Sequence, residues 1–175
     1  IYTALDIDAQ AMLEENMLKN MKDDLDLQVS SIMLKPQTGD IIALIGGRDY
    51  IKSEYNRAIS SKRQVGSTMK PFLYYAALEN GFTASTAFLS QETTFTFSNS
   101  DTYSPQNYGS IYPNSDISMA AAIAYSDNIY AVKTHLFLGE KTLVDIAKRV
   151  GIKTKLDEIP SLPLGTIELN IIDYL

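Results

Sequence analysis

The apolar positions of this chain first fall into a helical rhythm. Met12, Leu13, Met17, Leu18 and Met21 recur at spacings of three and four, which predicts a helix over 8–22. Positions 27–34 and 41–45 then carry β-favouring residues. They flank Pro36-Gln37-Thr38-Gly39-Asp40, a turn sequence, and the second run stops at Gly46-Gly47. This predicts an antiparallel hairpin. Residues 48–66 are polar and read as loop. Helical spacing returns over 68–80 and ends at Gly81, a residue suited to the left-handed conformation just past a helix. Positions 93–97 alternate Thr and Phe, as a short exposed strand would. The stretch 98–115, rich in Ser, Asn, Tyr and Pro, reads as irregular surface. Residues 117–125 are apolar and alanine-rich, predicting a buried helix. Helices over 129–138 and 141–150 follow, the last closed by Gly151. Strands are not alternated with helices as in βαβ units, so the expected class is α+β: an antiparallel sheet with helices packed on it. The expected organisation is one domain over 1–175, with a β-rich hairpin region at 27–47 and a helical region at 67–150.

Composition narrows the chemistry. A net charge of −6 argues against nucleic acid, whose phosphates demand a basic face, and against an anionic membrane surface. With no cysteine, disulfide and thiolate chemistry are impossible. The single histidine, His135, excludes a multi-histidine metal site and reads as helix surface or core edge. No apolar run is long enough to span a bilayer. The chain opens on "IYTALDIDAQ" without Met or a signal peptide, as a segment of a longer protein would.

Two short stretches bear on catalysis. In "RQVGSTMKPF", Pro71 cannot sit deep in a helix, because its ring would strike the carbonyl four residues back, that of Ser67. The helix therefore starts at about Ser67–Lys70. Ser67 falls at the positive end of the helix dipole, and Lys70, three residues on, shares its face. A desolvated lysine can lose its proton near neutral pH and take one from a serine. The plain alternative is a serine N-cap beside a solvated lysine. With 16 serines and 11 lysines, one Ser-x-x-Lys pair is expected roughly once by chance. Ser126-Asp127-Asn128 is rarer, expected roughly 0.06 times in this composition. It lies at the end of the alanine-rich helix, in "AAAIAYSDNIYAVK". Ser126 and Asn128, two apart in a turn between helices, can face one cleft, whereas Asp127 reads as structural. The competing view is an ordinary turn, with Asn128 left-handed and Ser126 capping the next helix.

Ser-x-x-Lys and Ser-x-Asn occur together in penicillin-binding proteins and serine β-lactamases. The chain resembles the transpeptidase domain of a penicillin-binding protein, in particular the bifunctional class A type. Besides the two motifs, "PQTGDIIALIGGRDY" is similar to that family's first hairpin, "YNRAISSKRQVGSTMKPFLYYAAL" to its nucleophile region, and "PQNYGSIYPNSDISMAAAIAYSDNIYAVK" to the approach to its second motif. "IYTALDIDAQ" and "SLPLGTIELNIIDYL" resemble the opening of the domain and the stretch before its later strands.

The resemblance implies a penicillin-binding/serine β-lactamase-like fold and a serine acyltransferase that cross-links peptidoglycan. Ser67 would be the nucleophile, Lys70 its base, Ser126 a proton relay and Asn128 a substrate-amide ligand. The implied partners are a stem peptide ending in D-Ala-D-Ala and β-lactam antibiotics, with no metal or cofactor. The implied location is the extracytoplasmic face of a bacterial membrane, with the anchor outside this chain. The family's third motif, Lys-Thr/Ser-Gly, is absent: "EKTLVD" and "KTKL" carry no glycine at the required place. The expectation is that the chain stops before it, leaving a sheet to be completed by a later segment or a partner chain and this piece by itself weak or inactive. Glu168 in "GTIELN" resembles the deacylating glutamate of β-lactamases, but its spacing to Asn170 is wrong by two. The alternatives are a β-lactam-hydrolysing or β-lactam-sensing domain of the same fold, and a non-catalytic module lacking the third motif.

Overall fold

In a computed structural model, residues 2–21 and 27–175 are described. They form two compact units, residues 1–62 with 169–175, and residues 63–168.

The first unit begins with helix α1 (Ile7–Asn20). Asp6 caps it, its carboxylate accepting from the Asp8 and Ala9 amides, and Lys19 lies in its last turn. The helix matches the periodicity, although Lys22 lies outside the described residues. Strands β1 (Ser31–Leu34) and β2 (Ile41–Ile45) pair antiparallel, Ser31 opposite Ile45 and Met33 opposite Ala43. Their turn closes through Gly39, at φ +74°, whose amide donates to the Lys35 carbonyl at 2.8 Å. The first expected strand is shorter than its composition implied, because 27–30 make no ladder. The outer edge of β2 is occupied from within. The Asp6 amide donates to the Ile42 carbonyl (2.9 Å), and the Gln10 side chain exchanges two hydrogen bonds with the backbone of Leu44 (2.8 and 3.0 Å). A side chain thus takes the place of a strand on that edge. The loop expected over 48–66 contains a helical turn, α2 (Arg57–Ser60), capped by Asn56.

The second unit opens with the two-residue strand β3 (Arg63–Gln64). A 3₁₀ turn over Gly66–Met69 runs into helix α3 (Lys70–Glu79). Pro71 sits in the first turn of α3, where its missing amide costs nothing. Strand β4 (Ala87–Ser90) follows, then a small hairpin of β5 (Phe95–Thr96) and β6 (Thr102–Tyr103), and β7 (Ser115–Ser118), which pairs antiparallel with β4. Sequence reading placed residues 117 and 118 in a helix. Instead they end β7, and Ser118 turns the chain by capping helix α4 (Met119–Tyr125) through the Ala121 amide. Helices α5 (Asn128–Leu138) and α6 (Glu140–Arg149) are separated by Gly139 at φ +85°.

The core of this unit lies between α3, α5 and α6. Leu73, Ala76 and Ala77 meet Ile129, Ala131 and Val132 of α5 and Leu143 and Ala147 of α6, all at most 1% exposed. Phe82, Phe88, Phe137 and Tyr130 form an aromatic cluster with ring centroids 5.2 to 6.1 Å apart. His135 belongs to this core. The expectation of a surface or edge position fails: the residue has no exposure, and its Nε2 lies 3.1 Å from the Ile159 carbonyl oxygen.

Candidate active site

The turn that carries Ser67 is fixed by two glycines. Gly66 and Gly165 both adopt positive φ (+59° and +64°), and the Gly66 amide donates to the Gly165 carbonyl at 3.0 Å. A Cβ on Gly165 would collide with the Gly66 backbone. The adjacent Val65 amide donates to the Ile167 carbonyl (3.3 Å), and Thr68 Oγ1 to the Val65 carbonyl (2.6 Å). Ser67 follows in the 3₁₀ turn and is solvent-exposed. Its carbonyl accepts from the Lys70 amide, so serine and lysine stand one turn apart.

Lys70 is 3% exposed. Its Nζ donates to the Ser126 carbonyl (2.6 Å), Ser126 Oγ (3.0 Å) and Asn128 Oδ1 (2.6 Å). These acceptors use all three ammonium protons. The three Nζ bonds go to Ser126 and Asn128 and none to Ser67; Ser67 and Lys70 line one cavity of about 360 Å³ with Ser126. Pro71, Tyr74, Tyr75, Leu78 and Ile123 give that cavity apolar walls. Burial pushes the Lys70 ammonium down to about 8, and the Asp127 carboxylate pulls it back up. At pH 7 roughly a tenth of the molecules then carry the neutral amine.

Ser126 can offer both its oxygens to one ammonium because its backbone is left-handed, at φ 53° and ψ 43°. This conformation costs a non-glycine residue about 1 kcal/mol or more, and persists only where its surroundings impose it. The left-handed residue is therefore Ser126, not Asn128, and the cap of α5 is Asp127, not Ser126. Asp127 is 4% exposed and fully bonded. Oδ1 accepts from the Tyr130 amide (2.7 Å); Oδ2 accepts from Ser90 Oγ (2.6 Å) and Asn107 Nδ2 (2.7 Å). Asn107 Oδ1 accepts the Asn128 amide (2.8 Å), and Asn128 Nδ2 donates to the Gln106 carbonyl (2.6 Å). Asn128 keeps one amide proton for a ligand.

All four residues picked from the sequence, Ser67, Lys70, Ser126 and Asn128, thus converge. Glu168 is exposed and does not line the cavity. Ser90 and Asn107 went unassigned in the sequence. Asn107 lies in the quoted "PQNYG", but its partners are some twenty residues away and no local pattern announces them. Cavities of about 400 and 550 Å³ elsewhere bring no lysine to a serine.

An α+β fold that buries a lysine one turn from an exposed serine, against a Ser-x-Asn turn, is the arrangement the resemblance to penicillin-binding transpeptidase domains implies. The chain belongs to the penicillin-binding protein transpeptidase family, whose domain matches residues 29–160. It is similar to penicillin-binding protein 2D of Bacillus subtilis, with 47% identity over 167 residues, covering 95% of this chain and 24% of that protein. Penicillin-binding protein 1A of Aquifex aeolicus is 35% identical over 147 residues, covering 83% and 20%. The chain thus spans about a quarter or less of the length of these relatives. Among solved structures, penicillin-binding protein 1A from Haemophilus influenzae superposes with a TM-score of 0.75 at 29% identity, over 83% of this chain and 21% of that one. Pseudomonas aeruginosa PBP2, solved in complex with WCK 5153, gives 0.72 at 19% identity, over 97% and 48%, a likeness of fold alone.

Proposed function

We propose that this chain supplies the nucleophile, base and relay of a D,D-transpeptidase that cross-links peptidoglycan stem peptides and is inhibited by β-lactams. The observation that carries the reading is the Lys70 Nζ, buried and held by Ser126 and Asn128 in the cavity that Ser67 also lines. The family match over 29–160 runs through both compact units, which supports assigning 1–175 to one transpeptidase domain.

Ser67 Oγ attacks the carbonyl of the penultimate D-alanine, and neutral Lys70 receives the hydroxyl proton. The ester bond to Ser67 forms as the peptide C–N bond breaks, and terminal D-alanine leaves with a proton. The geometry favours Ser126 as the donor of that proton. Of the three partners of Nζ, the Ser126 and Asn128 carbonyl oxygens can only accept, so in the neutral amine they hold the two remaining N–H groups. The lone pair is left to Ser126 Oγ, which can donate or accept and so can pass a proton either way. Asn128 uses its spare amide proton to hold a substrate carbonyl, and the Ser67 amide contributes to the oxyanion site. An amine of a second stem peptide then attacks the acyl-enzyme, releasing Ser67. The substrate places this chemistry on the extracytoplasmic face of a bacterial membrane.

The test is intact-mass spectrometry after treatment with penicillin. One long-lived adduct is expected in a protein extended through the next Lys-Thr/Ser-Gly and none in its Ser67→Ala variant. An adduct that survives the substitution removes Ser67 as nucleophile, and rapid loss of the adduct with release of hydrolysed drug points to a hydrolase.

A further inference from the structure

The left-handed Ser126 needs an agent that imposes it. On its N-terminal side it is held by α4, its amide donating to the Ala122 and Ile123 carbonyls. On its C-terminal side the agent comes from outside both helices. Asn107, half-buried in the segment after β6, uses every hydrogen-bonding group of its amide. Nδ2 donates to Asp127 Oδ2 (2.7 Å) and to the Ile111 carbonyl (3.2 Å), and Oδ1 accepts the Asn128 amide (2.8 Å). One planar group therefore ties the side chain of Asp127 to the backbone of Asn128, fixing two consecutive residues of the turn. The neighbouring Gln106 carbonyl takes Asn128 Nδ2 (2.6 Å), which forces Asn128 Oδ1 towards Lys70. The Asn128 amide is one of the unpaired donors at the start of α5. Without Asn107 it would turn to water, and Asp127 would keep only Ser90 and the Tyr130 amide.

We propose that Asn107 is a positioning residue of the site: by joining Asp127 to the Asn128 amide it holds the turn in the geometry that presents Ser126 and Asn128 to Lys70. The role rests on reading Lys70 as the base of the reaction. Asn107 touches no reacting atom; it acts by keeping three acceptors around the lysine and water away from it. When the turn relaxes, Lys70 exchanges these acceptors for water; desolvation is the largest influence on its proton, so regained hydration outweighs the lost acceptors and the ammonium holds its proton more tightly. Among the described residues the Asp127 carboxylate raises the Lys70 ammonium, and the phenols of Tyr74, pushed up by burial, and of Tyr75 line the cavity with it. None of these is removed by substituting Asn107.

The experiment uses the whole chain with ¹³Cε-labelled lysine and follows the Lys70 Cε resonance by NMR across pH 6–11, assigned by its absence in Lys70→Arg. Asn107→Ala is compared with Asn107→Gln, which keeps the amide but shifts it by one methylene. Ser118→Ala, which removes the cap of α4 outside this network, is the control for simple loss of stability. The Lys70 midpoint is expected to rise by one pH unit or more in both Asn107 variants and to stay at the wild-type value in Ser118→Ala. At pH 7 penicillin acylation should slow at least tenfold in step with that rise. If Asn107→Ala does not fold, Asn107→Gln alone decides. A wild-type midpoint in a folded Asn107 variant overturns the proposal, as does an equal rise in Ser118→Ala. A protein extended through the following Lys-Thr/Ser-Gly that forms no penicillin adduct sinks the functional reading instead, since the lysine titration is measured without the drug.

Discussion

His135 gives a sharp quantitative test of the fold. It is completely buried, and burial pushes its imidazole from 6.5 down to about 4, with the Ile159 carbonyl opposing the shift. The folded state therefore binds a proton less readily than the unfolded one. The stability contributed by keeping His135 neutral is complete above about pH 6.5 and is lost as pH falls towards 4. At about 1.36 kcal/mol per pH unit the full loss is about 3 kcal/mol, of which about 2 kcal/mol is gone by pH 5. His135 is the chain's single histidine and there is no cysteine, so the overlap comes from the tail of the Lys70 titration above pH 7 and from the raised Glu140 at the acid end, both of which the His135→Gln curve shares and subtracts. Urea unfolding followed by far-UV circular dichroism at pH 7.5, 6.5, 5.5 and 5 would measure the slope. His135→Gln keeps a donor for Ile159 but has no proton to gain, and its curve should be nearly flat over the same range. If the wild type loses less than about 0.5 kcal/mol between pH 7 and 5, or if the variant loses as much, then burial of a neutral imidazole is not what the fold depends on.

Two further outcomes concern the site. Lys70→Arg keeps the charge but cannot yield a neutral base, so penicillin acylation should fall by about 10² or more while the circular dichroism spectrum persists; near-normal acylation would remove Lys70 as base. Ser126→Gly should be more stable than Ser126→Ala by about 1 kcal/mol, because both lose the hydroxyl but only glycine is at ease at φ 53°; equal urea midpoints would mean that the left-handed backbone carries no strain.

The parts of this molecule that were legible in the sequence are those fixed by local sterics. Pro71 dates the start of α3 to within a residue or two, Gly81 ends it, and Pro36-Gln37-Thr38-Gly39-Asp40 marks the β1–β2 turn. The β4–β7 pair was invisible, since Ala87 meets Ser118 across 31 positions and Ser115–Ser118 contains one large apolar residue. His135 was misplaced because α5 has no polar face to orient it: Ile129, Tyr130, Ala131 and Val132 are all buried in succession. The four site residues could be chosen by motif, but the turn geometry could not. The same Ser126-Asp127-Asn128 permits several cap assignments, and only the distant Ser90 and Asn107 select the one adopted.

The glycine contact behind Ser67 sets an order of events during synthesis. The serine, the lysine and the Ser126–Asn128 turn all leave the ribosome before residue 150, yet the backbone that presents Ser67 leans on Gly165, about a hundred residues downstream of it. A nascent chain therefore carries Ser67, Lys70, Ser126 and Asn128 while the turn bearing the serine still lacks its support. Reactivity and completion of this unit are coupled through two residues that have no side chains.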